Sequence, residues 1–153
     1  MNLESLTKQL IQIESISPND AGCFDILESI LEGMNFSCER ISYKNVENLY
    51  AVIGSQGPTL CFLGHTDVVP TGPSDQWTYP PFSGETHDDH IYGRGAADMK
   101  GNICAFVEAL GSFLKTEKLN YRIAILLTSN EEGTPEDGFI DELLKELKSR
   151  GET

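Results

Sequence analysis

The sequence is poor in basic side chains and contains no long apolar run. Of its 153 residues, 11 are Lys or Arg and 24 are Asp or Glu, which gives a formal charge of −13. Binding to a phosphate backbone needs a clustered excess of basic residues, so this balance argues against a nucleic-acid partner. No stretch reaches the ~18 apolar residues that cross a bilayer, and the start of the chain lacks the pattern of a secretory signal. We therefore expect a cytoplasmic protein without a membrane partner.

Motifs for several other chemistries are also missing. The four cysteines Cys23, Cys38, Cys61 and Cys104 form no CxxC pair, which argues against a zinc knuckle or a thiol redox site and favours free thiols. No GxSxG elbow and no GxxxxGK[ST] loop is present, and no GxGxxG follows a suitable strand. The sequence thus supports neither a serine hydrolase nor a nucleotide-binding protein.

What the chain does contain is an alternation of helical and strand patterns. Apolar residues at helical spacing predict helices, and short apolar or alternating runs predict strands. The predicted helices cover residues 3–15, 20–34, 99–115 and 139–150, the predicted strands cover 36–43, 49–53, 59–63 and 121–128, and a proline-rich loop over 68–83 precedes a small hairpin over 85–92. This order predicts an α/β fold, a three-layer domain whose mostly parallel, mixed sheet is flanked by helices.

Imidazole and carboxylate side chains follow the predicted apolar strands or precede a helix. His65 and Asp67 come after one strand, Asp98 lies at the entrance of a helix, and Glu131 and Glu132 leave a buried strand. Ligands of open α/β sheets bind beyond the carboxyl ends of the strands. We therefore expect these five residues to converge on one site.

Each group also has an ordinary structural interpretation. In an extended chain Asp67 shares a face with His65 and can accept a hydrogen bond from one ring nitrogen while the other binds a metal, although a capped or buried histidine is the commoner reason for such a triplet. Asp98 has the residue type of a helix N-cap. The glycines on both sides of Asp98 favour a functional role, that of a carboxylate turned toward cations.

The pair Glu131 and Glu132 carries the strongest chemical signal. Two adjacent carboxylates at the end of a buried strand repel each other unless cations balance them. Neighbouring residues also point in different directions, so one can bind a metal while the other faces the attacking water. Metal-assisted hydrolysis requires this division of roles. The alternative is a solvated acidic loop.

Four sequence blocks together resemble the co-catalytic dizinc aminoacylase and carboxypeptidase family of metallopeptidases. The blocks are Gly-His-Thr-Asp-Val-Val-Pro at 64–70, Trp77 through Pro-Pro-Phe at 80–82, Tyr-Gly-Arg-Gly-Ala-Ala-Asp-Met-Lys-Gly at 92–101 and Thr-Ser-Asn-Glu-Glu-Gly at 128–133. They have the order and spacing of the family, and the likeness extends over essentially the whole chain. The resemblance implies an incomplete zinc-exopeptidase-like catalytic domain that binds two Zn²⁺ ions, with Co²⁺ as a possible substitute.

The resemblance also implies a role for each residue of the expected site. His65 binds one zinc ion, Asp98 bridges both and Glu132 binds the second, while Glu131 is the general base and Asp67 orients His65. The implied substrate is a small anionic N-acyl amino acid whose amide bond is hydrolysed. Which acyl group is removed, or whether a dipeptide is the substrate, stays open within the family.

Members of this family are much longer than this chain. The resemblance implies that their remaining part carries a further carboxylate ligand, a C-terminal histidine ligand and a lid domain that binds substrate carboxylates and forms homodimers. We therefore expect residues 1–153 to be the N-terminal part of the catalytic metal-binding domain. Alone, this part is expected to bind zinc weakly and to turn over little substrate, and a fragment without catalytic activity is the alternative.

Overall fold

A four-stranded sheet forms the centre of the computed structural model, which describes residues 2–134 and 140–152. Its strands are β1 (Ser37–Tyr43), β2 (Val46–Ile53), β3 (Thr59–His65) and β6 (Arg122–Thr128), and a separate hairpin is made by β4 (Thr86–His87) and β5 (His90–Ile91). The helices are α1 (Leu3–Ile11), α2 (Cys23–Gly33), α3 (Gly101–Thr116) and α4 (Ile140–Ser149). Among the described helices, none combines the length and apolar character needed to cross a membrane.

The sheet is mixed, with the order β1-β2-β6-β3. β2 is antiparallel to both β1 and β6, and only the β3–β6 pairing is parallel. The mixed sheet agrees with the prediction, but among the described strands fewer pairings are parallel than predicted. The reason lies in the connection between β1 and β2, because a turn over residues 44–45 is too short for the crossover that parallel strands require.

Helices cover both faces of this sheet, as expected for a three-layer α/β domain. Alternate residues of a strand point to opposite faces, so Leu49 and Ala51 of β2 face α1, α2 and α3, while Tyr50 faces α4. The larger core lies on the three-helix face and includes Leu10, Phe24, Leu27, Leu31, Leu49, Ile103, Val107, Ile125 and Leu127. On the opposite face Tyr50, Ala124 and Leu126 pack against Leu143 and Leu147 of α4.

The first helix is shorter than its apolar periodicity predicts. It ends at Ile11 instead of continuing to residue 15. The Nζ atom of Lys100, which is fully buried, donates hydrogen bonds to the carbonyl oxygens of Leu10 and Ile13, both at 2.7 Å. A positive charge at the carboxyl end of a helix satisfies carbonyls that have no partner within the helix. The chain turns away from the helical path where this distant lysine binds it.

The strand and helix ends around the expected site also differ from the prediction. β3 continues to His65, so this histidine is the last residue of the strand, whereas the predicted strand ends at residue 63. A π-helical turn, Ala96–Lys100, precedes α3, and the backbone of Asp98 within it is extended, with φ −131° and ψ 98°. The predicted hairpin over 85–92 is confirmed by β4 and β5. The predicted start of the last helix at residue 139 lies outside the described residues.

The turn that carries Asp98 approaches α3 so closely that a side chain has no room at its junction. A Cβ atom placed on Gly101 would lie 2.3 Å from the carbonyl oxygen of Ala96. A main-chain atom cannot rotate away from such a contact, so the turn or the helix would have to shift. The glycine after Asp98 is therefore required by packing.

Replacing Gly101 with alanine should consequently destabilise the fold. We expect a loss of about 1–3 kcal/mol in the free energy of unfolding, because the added methyl group overpacks the junction. Gly33→Ala is the matched control, since a Cβ at Gly33 meets nothing within 4 Å. This control should be neutral or stabilising by up to about 1 kcal/mol, as alanine favours helix. Urea unfolding of both variants measures the difference, and equal stabilities would contradict the packing argument.

Candidate metal centre

Three chain segments meet at one edge of the sheet. His65, the last residue of β3, is the register partner of Thr128, the last residue of β6. Because these strands are parallel, the Glu131–Glu132 segment that follows β6 lies beside His65. The turn before α3 brings Asp98 to the same place, where one ligand atom from each of His65, Asp98 and Glu132 lies within 4.8 Å of the others.

His65 is the buried member of this group, with only 4% of its surface exposed. Its Nε2 atom lies 3.1 Å from Oδ1 of Asp98 and 3.9 Å from Oε2 of Glu131. Its Nδ1 atom lies 2.9 Å from the main-chain carbonyl oxygen of Asp67, and a carbonyl only accepts, so Nδ1 is the donor in this contact. The ring is therefore held through Nδ1, with Nε2 directed at the carboxylates.

The contact between His65 and Asp67 differs from the one expected. The His-Thr-Asp spacing predicts that the Asp67 carboxylate accepts the imidazole hydrogen bond. In the structure the main-chain carbonyl is the nearer acceptor, and the carboxylate Oδ1 lies 3.6 Å from Nδ1. The carboxylate still attracts the ring by its charge, and it is left to accept hydrogen bonds from elsewhere.

Those other hydrogen bonds tie Asp67 to the segment after β6. Its fully buried carboxylate accepts the main-chain amide of Glu131 at Oδ1 (3.1 Å) and that of Glu132 at Oδ2 (3.0 Å). The hydroxyl of Ser17 also donates to Oδ2. Burial alone would raise the pKa of Asp67, but the adjacent imidazole of His65 and the hydrogen bonds from Ser17 and the two amides outweigh it and lower the pKa. Asp67 is therefore a buried anion that fixes the backbone of both glutamates.

The titration of His65 reflects this anionic environment. Burial by itself lowers the pKa of the imidazole, but hydrogen bonds and charge from Asp67, together with the hydrogen bond to Asp98, raise it to about 9. Burial and the charges of Asp98, Glu131 and Asp67 raise the pKa of Glu132, against the opposing effect of His65. The site thus carries an excess of negative charge that favours a bound cation.

The three candidate ligands also suit a divalent metal by type and accessibility. One imidazole and two carboxylates are donors that Zn²⁺ and related ions accept. The side chain of Asp98 is 76% exposed and that of Glu131 is 62% exposed, so the group is open to solvent on one side. A cation can enter there, and a substrate can reach it.

A cavity of about 530 Å³ extends from this group across the end of the sheet. Its lining includes the polar residues His65, Asp98, Asn130 and Glu131 and the apolar residues Leu63, Met99 and Ile140. The arrangement can place a polar reacting group next to the carboxylates and an aliphatic group against the apolar residues. This is the general build of a small-molecule site.

Sequence reasoning missed the N-terminal segment 13–20, which borders the centre. The Ser15 hydroxyl donates to the Thr66 carbonyl at 2.7 Å, and the Ser129 hydroxyl donates to the Pro18 carbonyl at 2.8 Å. The Thr66 hydroxyl donates to Oδ1 of the buried Asp20 at 2.9 Å. These contacts join residues distant in sequence, so no local pattern signals them.

The fold and the site together define a class of protein: an α/β domain with an imidazole and carboxylate group at the edge of its sheet that could hold a divalent cation. Residues 61–152 match the family model described as Peptidase family M20/M25/M40, and the chain belongs to this family. Membership of this metallopeptidase family implies a divalent-metal site, in agreement with the donor set found here.

Individual relatives agree with this family membership. The chain is 46% identical over 140 residues to a succinyl-diaminopimelate desuccinylase of Rhodospirillum centenum, covering 88% of this chain and 36% of that protein. It is 50% identical over 156 residues to the enzyme of the same name from Delftia acidovorans, with 95% and 40% covered. Human carnosine dipeptidase 1 shares the fold, with a TM-score of 0.85 and 24% identity over 97% of this chain and 35% of the other. The chain therefore spans about two fifths of the length of these relatives.

The raised pKa of His65 leads to a test by pH. A group whose pKa is raised by folding stabilises the fold fully below its unfolded pKa, about 6.5, and loses this contribution as the pH rises through the folded value, about 9. With a chelator present, we expect the unfolding free energy to fall by about 3 kcal/mol across this range. His65→Gln should lack this part of the pH dependence. Urea unfolding at several pH values measures this pH dependence. If the unfolding free energies of the two proteins changed with pH in the same way, the raised pKa of His65 would be refuted.

Proposed function

We propose that residues 1–153 are the N-terminal part of the catalytic metal-binding domain of a succinyl-diaminopimelate desuccinylase. This enzyme hydrolyses N-succinyl-LL-2,6-diaminopimelate to succinate and LL-2,6-diaminopimelate, in lysine and diaminopimelate biosynthesis. The main support is the convergence of His65, Asp98 and Glu132, with Glu131 beside them. The desuccinylase names of relatives at 44–50% identity support the substrate.

The proposed cofactors are two Zn²⁺ ions, with Co²⁺ as a substitute. In this proposal His65 holds one ion, Glu132 holds the other and Asp98 is shared between them. Only Oδ1 of Asp98 faces His65 within hydrogen-bond distance, and the exposed carboxylate has a second oxygen to offer. Further ligands would come from the part of the relatives that this chain does not span.

The proposed reaction needs a proton carrier as well as a cation. A bound divalent ion polarises the scissile carbonyl and lowers the pKa of water. Glu131 would accept the proton of the attacking water and pass it to the leaving nitrogen, so that the acyl carbon gains hydroxyl and the amine leaves neutral. Its carboxylate is exposed to the cavity and adjacent to His65, which suits this role. Asp67 would hold the Glu131 backbone in place during the transfer.

Two other specificities of the family, acetylornithine deacetylase and dipeptidase, are alternatives. A fragment without catalytic activity is a third alternative. The anionic N-acyl substrate is proposed from the relatives rather than from the cavity.

The adjacent glutamates provide a matched pair for metal binding. Glu132→Gln should weaken Zn²⁺ binding by at least about tenfold, because a metal-binding carboxylate is lost, and Asp98→Asn should do the same. Glu131→Gln should change the affinity by less than about threefold, since its carboxylate is assigned to proton transfer. Competition with a chromogenic chelator on the purified chain measures all three. A loss at Glu131→Gln as large as at Glu132→Gln would reverse the two assignments.

Catalysis requires a chain of the relatives' full length. Fusing residues 1–153 to the remaining part of the Delftia acidovorans relative should give hydrolysis of the succinyl substrate. Glu131→Gln in this fusion should lower kcat by about 10²–10⁴-fold while Zn²⁺ content is retained. N-acetylornithine and dipeptides serve as competing substrates. Preference for one of these would replace the proposed specificity, and an inactive, metal-loaded fusion would support the non-catalytic alternative.

A further inference from the structure

The hydroxyl group of Ser17 lies outside the region matched by the family model and is linked to the candidate metal centre through Asp67. Ser17 lies in the N-terminal segment 13–20, whereas the family model matches residues 61–152. Its hydroxyl donates to Oδ2 of Asp67, and its main-chain amide donates to the Val68 carbonyl at 3.2 Å. Ser17 therefore contacts the segment that follows His65 at two points.

The direction of the side-chain hydrogen bond is fixed by its acceptor. A carboxylate only accepts, so the single hydroxyl proton of Ser17 points to Asp67. Within the described residues the only other acceptor near this hydroxyl is the Val68 carbonyl, which lies farther away, at 3.4 Å. The bond joins a half-buried hydroxyl to a fully buried anion, the kind of hydrogen bond that stabilises most.

The Asp67 oxygen that receives this proton also receives the amide of Glu132, and the other oxygen receives that of Glu131. Rotation of the carboxylate about its Cβ–Cγ bond would break both amide contacts together. The Ser17 hydroxyl, which belongs to a different segment of the chain, is a third donor to this carboxylate and restricts its rotation. The position of both glutamates thus depends on a group that touches neither of their side chains.

We propose that Ser17 is a positioning residue, which sets the Glu131–Glu132 backbone through the Asp67 carboxylate. The inference rests on the proposed function for its effect on metal binding, but the positioning itself concerns only residues of this chain. Ser17 would not touch the substrate or a metal. Loss of the Ser17 hydroxyl would leave every candidate ligand present. It would weaken only the hydrogen bonding that fixes the Asp67 carboxylate and, through it, the Glu131–Glu132 backbone.

Amide hydrogen exchange in the chelator-treated chain tests the positioning without any metal. Ser17→Ala should raise the exchange rates of the Glu131 and Glu132 amides about tenfold, as expected for the loss of a hydrogen bond to a charged group. Ser17→Thr keeps a hydroxyl at the same atom and should restore slow exchange. In an Asp67→Asn background, Ser17→Ala should add little, because residues that act through one group are not additive.

Ser15→Ala is the matched control. Ser15 is a buried serine of the same segment, but its hydroxyl donates to the Thr66 carbonyl instead of a carboxylate. It should lower the overall unfolding free energy, because a buried hydrogen bond is lost, while the two glutamate amides keep their exchange rates. Equal acceleration in both variants, or none in Ser17→Ala, would overturn the proposal.

Zn²⁺ affinity provides the second readout and separates this inference from the proposed function. Ser17→Ala should weaken binding about tenfold, within the range for residues that orient metal ligands, and Ser15→Ala should not. If the unaltered chain bound no Zn²⁺ while Ser17→Ala still accelerated exchange, the proposed metal site would fail and the positioning role would stand. If binding were normal and exchange unchanged in Ser17→Ala, the positioning role would fail alone.

Discussion

A buried carboxylate must find donors, and the site is organised around this requirement. Asp67 is fully buried and meets the requirement with two main-chain amides and a hydroxyl, beside the imidazole of His65. Leaving such a charge without partners costs far more than an ordinary hydrogen bond provides. The folded state that satisfies Asp67 is therefore also the state in which His65 and the two glutamates are neighbours. Stability of the fold and assembly of the site have the same physical origin here.

The sheet contributes the second constraint, that of direction. β3 and β6 are its only parallel pair among the described strands, and both end at the candidate site. An antiparallel arrangement of these two strands would have placed His65 and the glutamates at opposite ends of the domain. The antiparallel strands β1 and β2 complete the sheet on the far side of β6, where they bury its apolar residues without contributing candidate ligands. Only one pairing therefore has to be parallel for the site to form.

Most helices and strands, and the five residues of the candidate site, could be predicted from local patterns. Apolar periodicity located the elements, and the imidazole and carboxylate groups at strand ends and at a helix entrance indicated the candidate site. What local patterns could not supply were contacts between distant segments. Lys100 binds Leu10 across 90 residues of sequence, and Ser17 binds Asp67 across 50. The early end of α1 has the same explanation, because it depends on where Lys100 lies.

The buried ammonium group of Lys100 links the end of α1 to the turn that carries Asp98. The side chain is fully covered, and both of its hydrogen bonds hold main-chain carbonyls. An amine in this setting is shielded from acylating reagents in bulk solvent, whereas the lysines on the surface react freely. Acylation of Lys100 requires the turn and the helix to separate first. The rate of its labelling would therefore report how often this corner of the molecule opens, in the same chain and without any engineered probe.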